Sequence, residues 1–211
     1  MNIIKYPEFE GDSYLIVLND FYINNSDLDK LISNSSEYLK VKSKAFENKS
    51  KYVDEFIKFK NNRNSLRNYK KGNLLDSSIY TYASEWKNDM DLDNMLNKIK
   101  SELDNNSRRL LIRLANSFSD YYTSIYEYKD VSCCTSIHYL KNKVSLTFRA
   151  SDIKDELYED IITIYKHFIK PVYSDKSINI EIFCSCAQNI DGLHELNDKF
   201  LKIKKVHGSK K

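Results

Sequence analysis

The chain alternates between short apolar runs and long polar stretches, and the spacing within each run predicts its geometry. Tyr14 to Leu18 is a compact apolar run bounded by charged residues and predicts a strand. Asn25-Ser26-Asp27 then offers helix-capping chemistry ahead of Leu28, Leu31 and Ile32, which predicts a helix. Residues 40–73 are the most polar part; within them Tyr52, Val53, Phe56, Ile57 and Phe59 fit one helical face. Met90, Leu92, Met95, Leu96 and Ile99 recur near a 3.6-residue period, so Tyr80 to Ile99 predicts a helix, with Trp86 as its anchor. Arg108-Arg109 introduce a short apolar strand. Ile137, Tyr139, Val144, Leu146 and Phe148 alternate on either side of Lys141-Asn142-Lys143, which predicts a hairpin over Ser132 to Phe148. Leu157, Ile161, Ile164, Tyr165 and Phe168 predict an amphipathic helix from Asp152 to about Phe168, ended by Pro171. Ile178, Ile180, Ile182 and Cys184 predict a half-buried strand, and the last segment a strand or short helix with a basic tail.

The predicted order of strands and helices is that of an α+β fold: a mixed, twisted sheet with helices on one face. The 211 residues contain 41% hydrophobic positions, enough for a full core, so one domain spanning 1–211 is expected. Four glycines leave little material for a glycine-rich nucleotide loop, while sixteen tyrosines point to an aromatic core with polar rims or an extensive interface. The net charge of +3 is too small to argue for nucleic acid. The five basic residues from Lys60 to Lys71 therefore read first as a solvated loop, with a nucleic-acid contact as the weaker alternative. No apolar stretch reaches membrane-spanning length and the first residues lack a signal-peptide layout, so a cytoplasmic protein without membrane contact is expected. Cys133-Cys134 and Cys184-x-Cys186 match neither a secreted disulfide framework nor the spacing of a zinc knuckle, and no metal is expected. Lys166, Lys170 and Lys176 read as a solvated face.

Unusual chemistry concentrates between residues 107 and 152. Two arginines open one strand, two cysteines open another, and Arg149 closes a third ahead of Ser151-Asp152. Arginine presents a planar fork of donors suited to phosphate, and a cysteine near cations has a stabilised thiolate. Taken singly, each has a plainer explanation: a surface arginine pair, and small buried cysteines.

These motifs resemble thymidylate synthase and its relatives, the pyrimidine-nucleotide hydroxymethylases. Ser107-Arg108-Arg109 matches the family's Ser-Arg-Arg before an apolar strand, Cys133 matches its nucleophile, and Phe148-Arg149-Ala150-Ser151-Asp152 matches its strand-end Gln-Arg-Ser-x-Asp. The resemblance covers residues 107 to 170. It departs at Cys134, which replaces the family histidine, and at His138, which replaces a glutamine. Cys184 to Ile190 stand in place of a substrate-binding glycine-rich segment, with Gln188 where its histidine would fall.

The resemblance implies a thymidylate-synthase-like sheet that dimerises through its second face, with a pyrimidine nucleoside monophosphate as partner. Arg149 would hold the 5′ phosphate of its own subunit's nucleotide, and Arg108 and Arg109 that of the partner copy. Cys133 would attack C6 of the base, and methylenetetrahydrofolate would supply the one-carbon unit. Asp152 would contribute backbone contacts near the base, and His138 would lie near the nucleotide. Asp160 falls at the base-reading position, where a carboxylate suits the amino group of cytosine; its alternative is an ordinary solvent-facing helix residue. The implied activity is hydroxymethylase-like C5 one-carbon transfer, with a cytidine nucleotide as its substrate. The alternative is a catalytically inactive synthase-like homodimer acting as a binding, regulatory or structural subunit.

Overall fold

The computed structural model describes residues 2–5, 13–34, 92–105, 109–113, 133–154 and 156–207, with the backbone alone at 2–5, 92, 113 and 204–207. The chain divides into two compact units: residues 1–29, 93–113 and 133–211 form one, and 30–92 with 114–132 form the other. The described part of the second unit is the last turn of the first helix, residues 30–34, and the single residue Leu92.

The described elements run β1 (Asn2–Lys5), β2 (Tyr14–Phe21), α1 (Asn25–Ser33), α2 (Leu92–Glu102) and β3 (Leu111–Arg113). Then follow β4 (Cys134–Leu140), β5 (Lys143–Phe148), β6 (Ser151–Asp152) and α3 (Leu157–Ile164). A π-helical turn (Tyr165–Ile169), α4 (Lys170–Tyr173), β7 (Ile178–Cys184), β8 (Ala187–Gln188) and α5 (Leu193–His207) complete the order. Six strands form one sheet in the order β1-β2-β7-β5-β4-β3, and β6 pairs with β8 in a small second sheet. Every pairing in the large sheet is antiparallel except β5 with β7. The hairpin β4–β5 turns at Lys141-Asn142, and β2 bulges between Leu18 and Phe21. At that bulge Asp20 takes a left-handed φ of 52°, and its N–H donates to the Asn179 side chain at 3.1 Å.

Alternation in the strands divides the sheet into two faces. On one, Ile16, Leu18, Ile137, Tyr139, Val144, Leu146, Phe148, Ile180 and Ile182 are buried. The continuous helical segment from α3 to α4 packs there: the Tyr139 hydroxyl donates to the Phe168 carbonyl at 3.1 Å, and Phe21 meets the Tyr165 ring edge-on at 4.9 Å. From α5, Phe200 reaches the other side of Phe21 at 5.9 Å. The opposite face is half-buried and mixed. Register aligns Val17, Glu181, Ser145, His138 and Leu111 in one row across five strands. Glu181 accepts from Lys143 Nζ at 3.1 Å and from Ser145 Oγ at 3.3 Å.

Two expectations from the pattern need correction. Pro171 does not end its helix. The N–H of Lys170 donates to the carbonyl of Tyr165, five residues back, so the helix is already widened where proline brings no donor and a bulky ring. It continues to Tyr173. The last segment, in turn, is a fifteen-residue helix rather than a strand or short helix. The expected helix over Tyr80 to Ile99 is described from Leu92 onward, while Trp86 and the basic stretch 60–71 lie outside the described residues.

Candidate functional site

β5 and β7 end side by side because they run parallel, pairing Phe148 with Cys184 in their last register. β4 runs the other way, so its first residues arrive at the same end. In open α/β sheets such carboxyl ends of parallel strands flank the ligand crevice; here the connections that leave β5 and β7 stay side by side, because β6 pairs with β8 just beyond. The residues that follow each strand are fixed there by main-chain rungs. Arg149 N–H donates to the Cys133 carbonyl at 2.8 Å, Ser185 N–H to Phe148 at 3.0 Å, and Ser151 N–H to Cys186 at 3.1 Å. The Ser185 hydroxyl donates to the Arg149 carbonyl at 2.6 Å, and the Ser13 hydroxyl to the Ser185 carbonyl at 2.9 Å.

Beyond these rungs β6 and β8 pair in parallel, setting Asp152 opposite Gln188. Asp152 is a clasp. One carboxylate oxygen accepts from the Lys154 N–H at 3.0 Å, the other from the Asn189 amide at 2.6 Å. Asn189 adopts the left-handed conformation that asparagine tolerates (φ 50°), which turns the chain from β8 towards α5. Buried Gly192 closes this turn against Lys154: a β-carbon there would stand 2.6 Å from the Lys154 Cα.

Four of the residues singled out in the sequence therefore gather at one end of the sheet: Cys133, Arg149, Asp152 and Gln188. Arg149 and Gln188 are exposed, Cys133 and Asp152 half-buried. Asp160 is buried in α3, which rejects the solvent-facing alternative for this carboxylate. His138 lies elsewhere. It stands five residues along β4 from Cys133, roughly 15 Å at the rise of a strand, too far for contact between the two. Its Nε2 is buried without a hydrogen-bond partner on the half-buried face of the sheet. Arg109 is exposed in the turn ahead of β3, and Arg108 lies outside the described residues.

None of the four cysteines forms a disulfide; Cys134 and Cys184 are fully buried and Cys186 is exposed. Burial pushes the Cys184 thiol up, partly offset by backbone hydrogen bonds from Cys186 and Ser151, and the sulfur packs in the core. Among the described residues no cluster of three His, Cys, Asp or Glu side chains could hold a metal, and no helix is long and apolar enough to cross a membrane.

Two features of this end of the sheet are absent from the sequence pattern. Ser151 Oγ is buried with no hydrogen-bond partner, although serine beside aspartate in a loop ordinarily reads as exposed. Asn189 holds Asp152 across the β6–β8 pair, a contact invisible until those two-residue strands are known to meet.

No family model matches the chain, and no curated protein matches it.

Proposed function

We propose that the chain binds a pyrimidine nucleoside monophosphate in the crevice beyond the carboxyl ends of β5 and β7, as a divergent and shortened thymidylate-synthase-like protein. The observation that carries this reading is the convergence of Cys133 and Arg149 through the 2.8 Å bond between their main chains. That bond ties the main chains of a thiol-bearing and a guanidinium-bearing residue together at the open end of the β4–β5 hairpin. The Arg149 guanidinium takes the phosphate through paired charge-assisted hydrogen bonds. The Cys133 thiolate adds to C6 of the base, which makes C5 the carbon that accepts a one-carbon unit. Methylenetetrahydrofolate, when bound, would supply that unit, and the reaction would be hydroxymethylation of a cytidine nucleotide. Asp160, a buried carboxylate on the helix that follows the crevice, reads the cytosine amino group.

The second reading is an inactive homodimer of the same fold, assembled through the half-buried face of the sheet. Its support is the orphaned Nε2 of His138 together with Leu111, 43% exposed on the same face. Isothermal titration with dCMP, dUMP, CMP and UMP separates the two. Saturable binding of one nucleotide, lost in Arg149→Ala, supports the first. No heat with any of them at millimolar concentration, from a protein that is dimeric by light scattering, favours the second.

A further inference from the structure

A cleft of about 510 Å3 opens at the other end of the sheet, between α1 and the helical segment that carries Lys166 and Lys170. β2 ends and β7 begins here, so roughly 20 Å of strand separates it from the crevice beyond β5 and β7. Its volume lies within the range of small-molecule sites, about 300–1,000 Å3.

The lysines of this cleft are organised unlike surface lysines. Lys170 is buried, with 8% of its side chain exposed. The π-helical turn brings it there, because one extra residue in a turn rotates everything that follows towards a different face. Its ammonium donates to the Ile23 carbonyl at 2.6 Å and lies 4.7 Å from the centre of the Tyr22 ring. Among the described residues the nearest carboxylate, Asp175, stands 3.7 Å away, is 82% exposed, and also accepts from the Tyr22 hydroxyl at 3.1 Å. Burial outweighs Asp175 and pushes the lysine below its ordinary range. One turn earlier Lys166 pairs with exposed Asp29 at 3.4 Å and is the more buried of the two. In both pairs the lysine is the more buried member and the aspartate the more exposed. Both separations exceed the ~2.8 Å of a direct ammonium–carboxylate hydrogen bond. Exposed carboxylates at such distances are weakly held. Asn25, the first residue of the nine-residue α1, adds the positive end of a helix dipole to the same wall.

We propose that this cleft is a binding site for a small molecule bearing a phosphate or carboxylate group, which Lys170 and Lys166 take in place of Asp175 and Asp29. The site is independent of the nucleotide crevice. An oxyanion entering from solvent completes the coordination of a desolvated ammonium, and the two displaced aspartates are already in water and lose little.

Inorganic phosphate and malonate, titrated into the Arg149→Ala protein, test the site apart from the nucleotide crevice. Both are expected to bind saturably and to raise the thermal midpoint. Lys170→Met is expected to weaken binding by about tenfold or more, the loss of one charge-assisted hydrogen bond. Asp175→Asn is expected to tighten it by about twofold to fivefold, because it removes a weak competitor; a merely structural aspartate would not do so. If Lys170→Met fails to fold, Asp175→Asn and Lys166→Gln decide. Absence of binding to the Arg149→Ala protein overturns the proposal. Equal affinity across the variants, the signature of diffuse charge, overturns it as well. Binding by phosphate alone identifies phosphate esters as the ligand class, and binding by malonate alone identifies carboxylates.

Discussion

Arg149 donates its main-chain N–H to the carbonyl of Cys133 at 2.8 Å, so the last residue of one strand connection and the first of another share a single rung. The two side chains therefore move together with the end of the β4–β5 hairpin. A substitution that loosens this end is expected to disturb thiol and guanidinium at once, whereas Arg149→Ala removes the guanidinium and leaves the rung in place.

Thiol reactivity divides the four cysteines. Cys186 is exposed and Cys133 half-buried, whereas Cys134 and Cys184 are fully buried. Two thiols are expected to react with a disulfide reagent under native conditions, and two more only on unfolding. While folded, Cys184 is doubly protected, since burial also raises its pKa and the thiolate is the reacting form. Native reaction of Cys184 at the rate of Cys186, mapped by mass spectrometry, would contradict the buried face of β7. Slowing of Cys133 alone by a nucleotide would place that ligand in the crevice.

Gly192→Ala is expected to destabilise the protein by about 1–3 kcal/mol, the usual cost of forcing atoms into a filled space. The new methyl would stand 2.6 Å from the Cα and Cβ of Lys154, and a backbone atom cannot swing aside. Because Lys154 N–H also binds Asp152, the Asp152–Asn189 clasp should loosen too. Urea unfolding measures the first effect; an unchanged midpoint would mean that the turn at 189–192 packs differently.

Tyr139→Phe isolates one buried hydrogen bond. The Tyr139 hydroxyl joins the centre of β4 to the Phe168 carbonyl within the π-helical turn. Its loss is expected to cost about 1 kcal/mol while the ring stays packed against Tyr173 at 6.3 Å. A stabilising effect in chemical denaturation would show that the hydroxyl carries no net bond.

Alkaline pH should unfold the protein by way of its tyrosines. Burial pushes Tyr158 and Tyr165 up to about 12, and Tyr139 and Tyr173 also rise. An unfolded tyrosine loses its proton near 10.0, so between pH 10 and 12 unfolding releases protons that the folded state retains. Stability therefore falls as pH rises through that window. In an ultraviolet titration, a late group of the sixteen tyrosines should ionise together with loss of circular dichroism. Smooth ionisation of all of them near pH 10 with the fold intact would refute the assignment.

Local pattern was enough for the elements whose two faces differ. Ile178, Ile180, Ile182 and Cys184 mark β7 at its observed bounds, and Asn25 to Ile32 mark α1, although its cap is Asn24, one residue before the expected run, whose side chain accepts from the Asp27 N–H at 2.9 Å. β1 escaped notice because four residues are too few to show alternation. Pro171 and Lys170 depart from the pattern for one reason: the widened turn at 165–169 breaks the uniform 3.6-residue period on which both expectations rest. At the crevice, the chemistry of Cys133 and Arg149 is visible as residue types. Their shared rung is not, since it follows from the pairing of β4 with β5 and from where that hairpin ends.

β7 is the central hinge of strand order, with β2 on one side and β5 on the other. Tyr14 pairs with Cys184, so β2 must wait for about 165 further residues before its inner edge is covered. At ribosomal rates of about 5–20 residues per second, that interval is on the order of 10–30 s. Until β7 emerges the nascent chain holds two half-sheets, β1–β2 and β3–β4–β5, each with a bare hydrogen-bonding edge. A chain halted before residue 178 would keep both edges open to other strands.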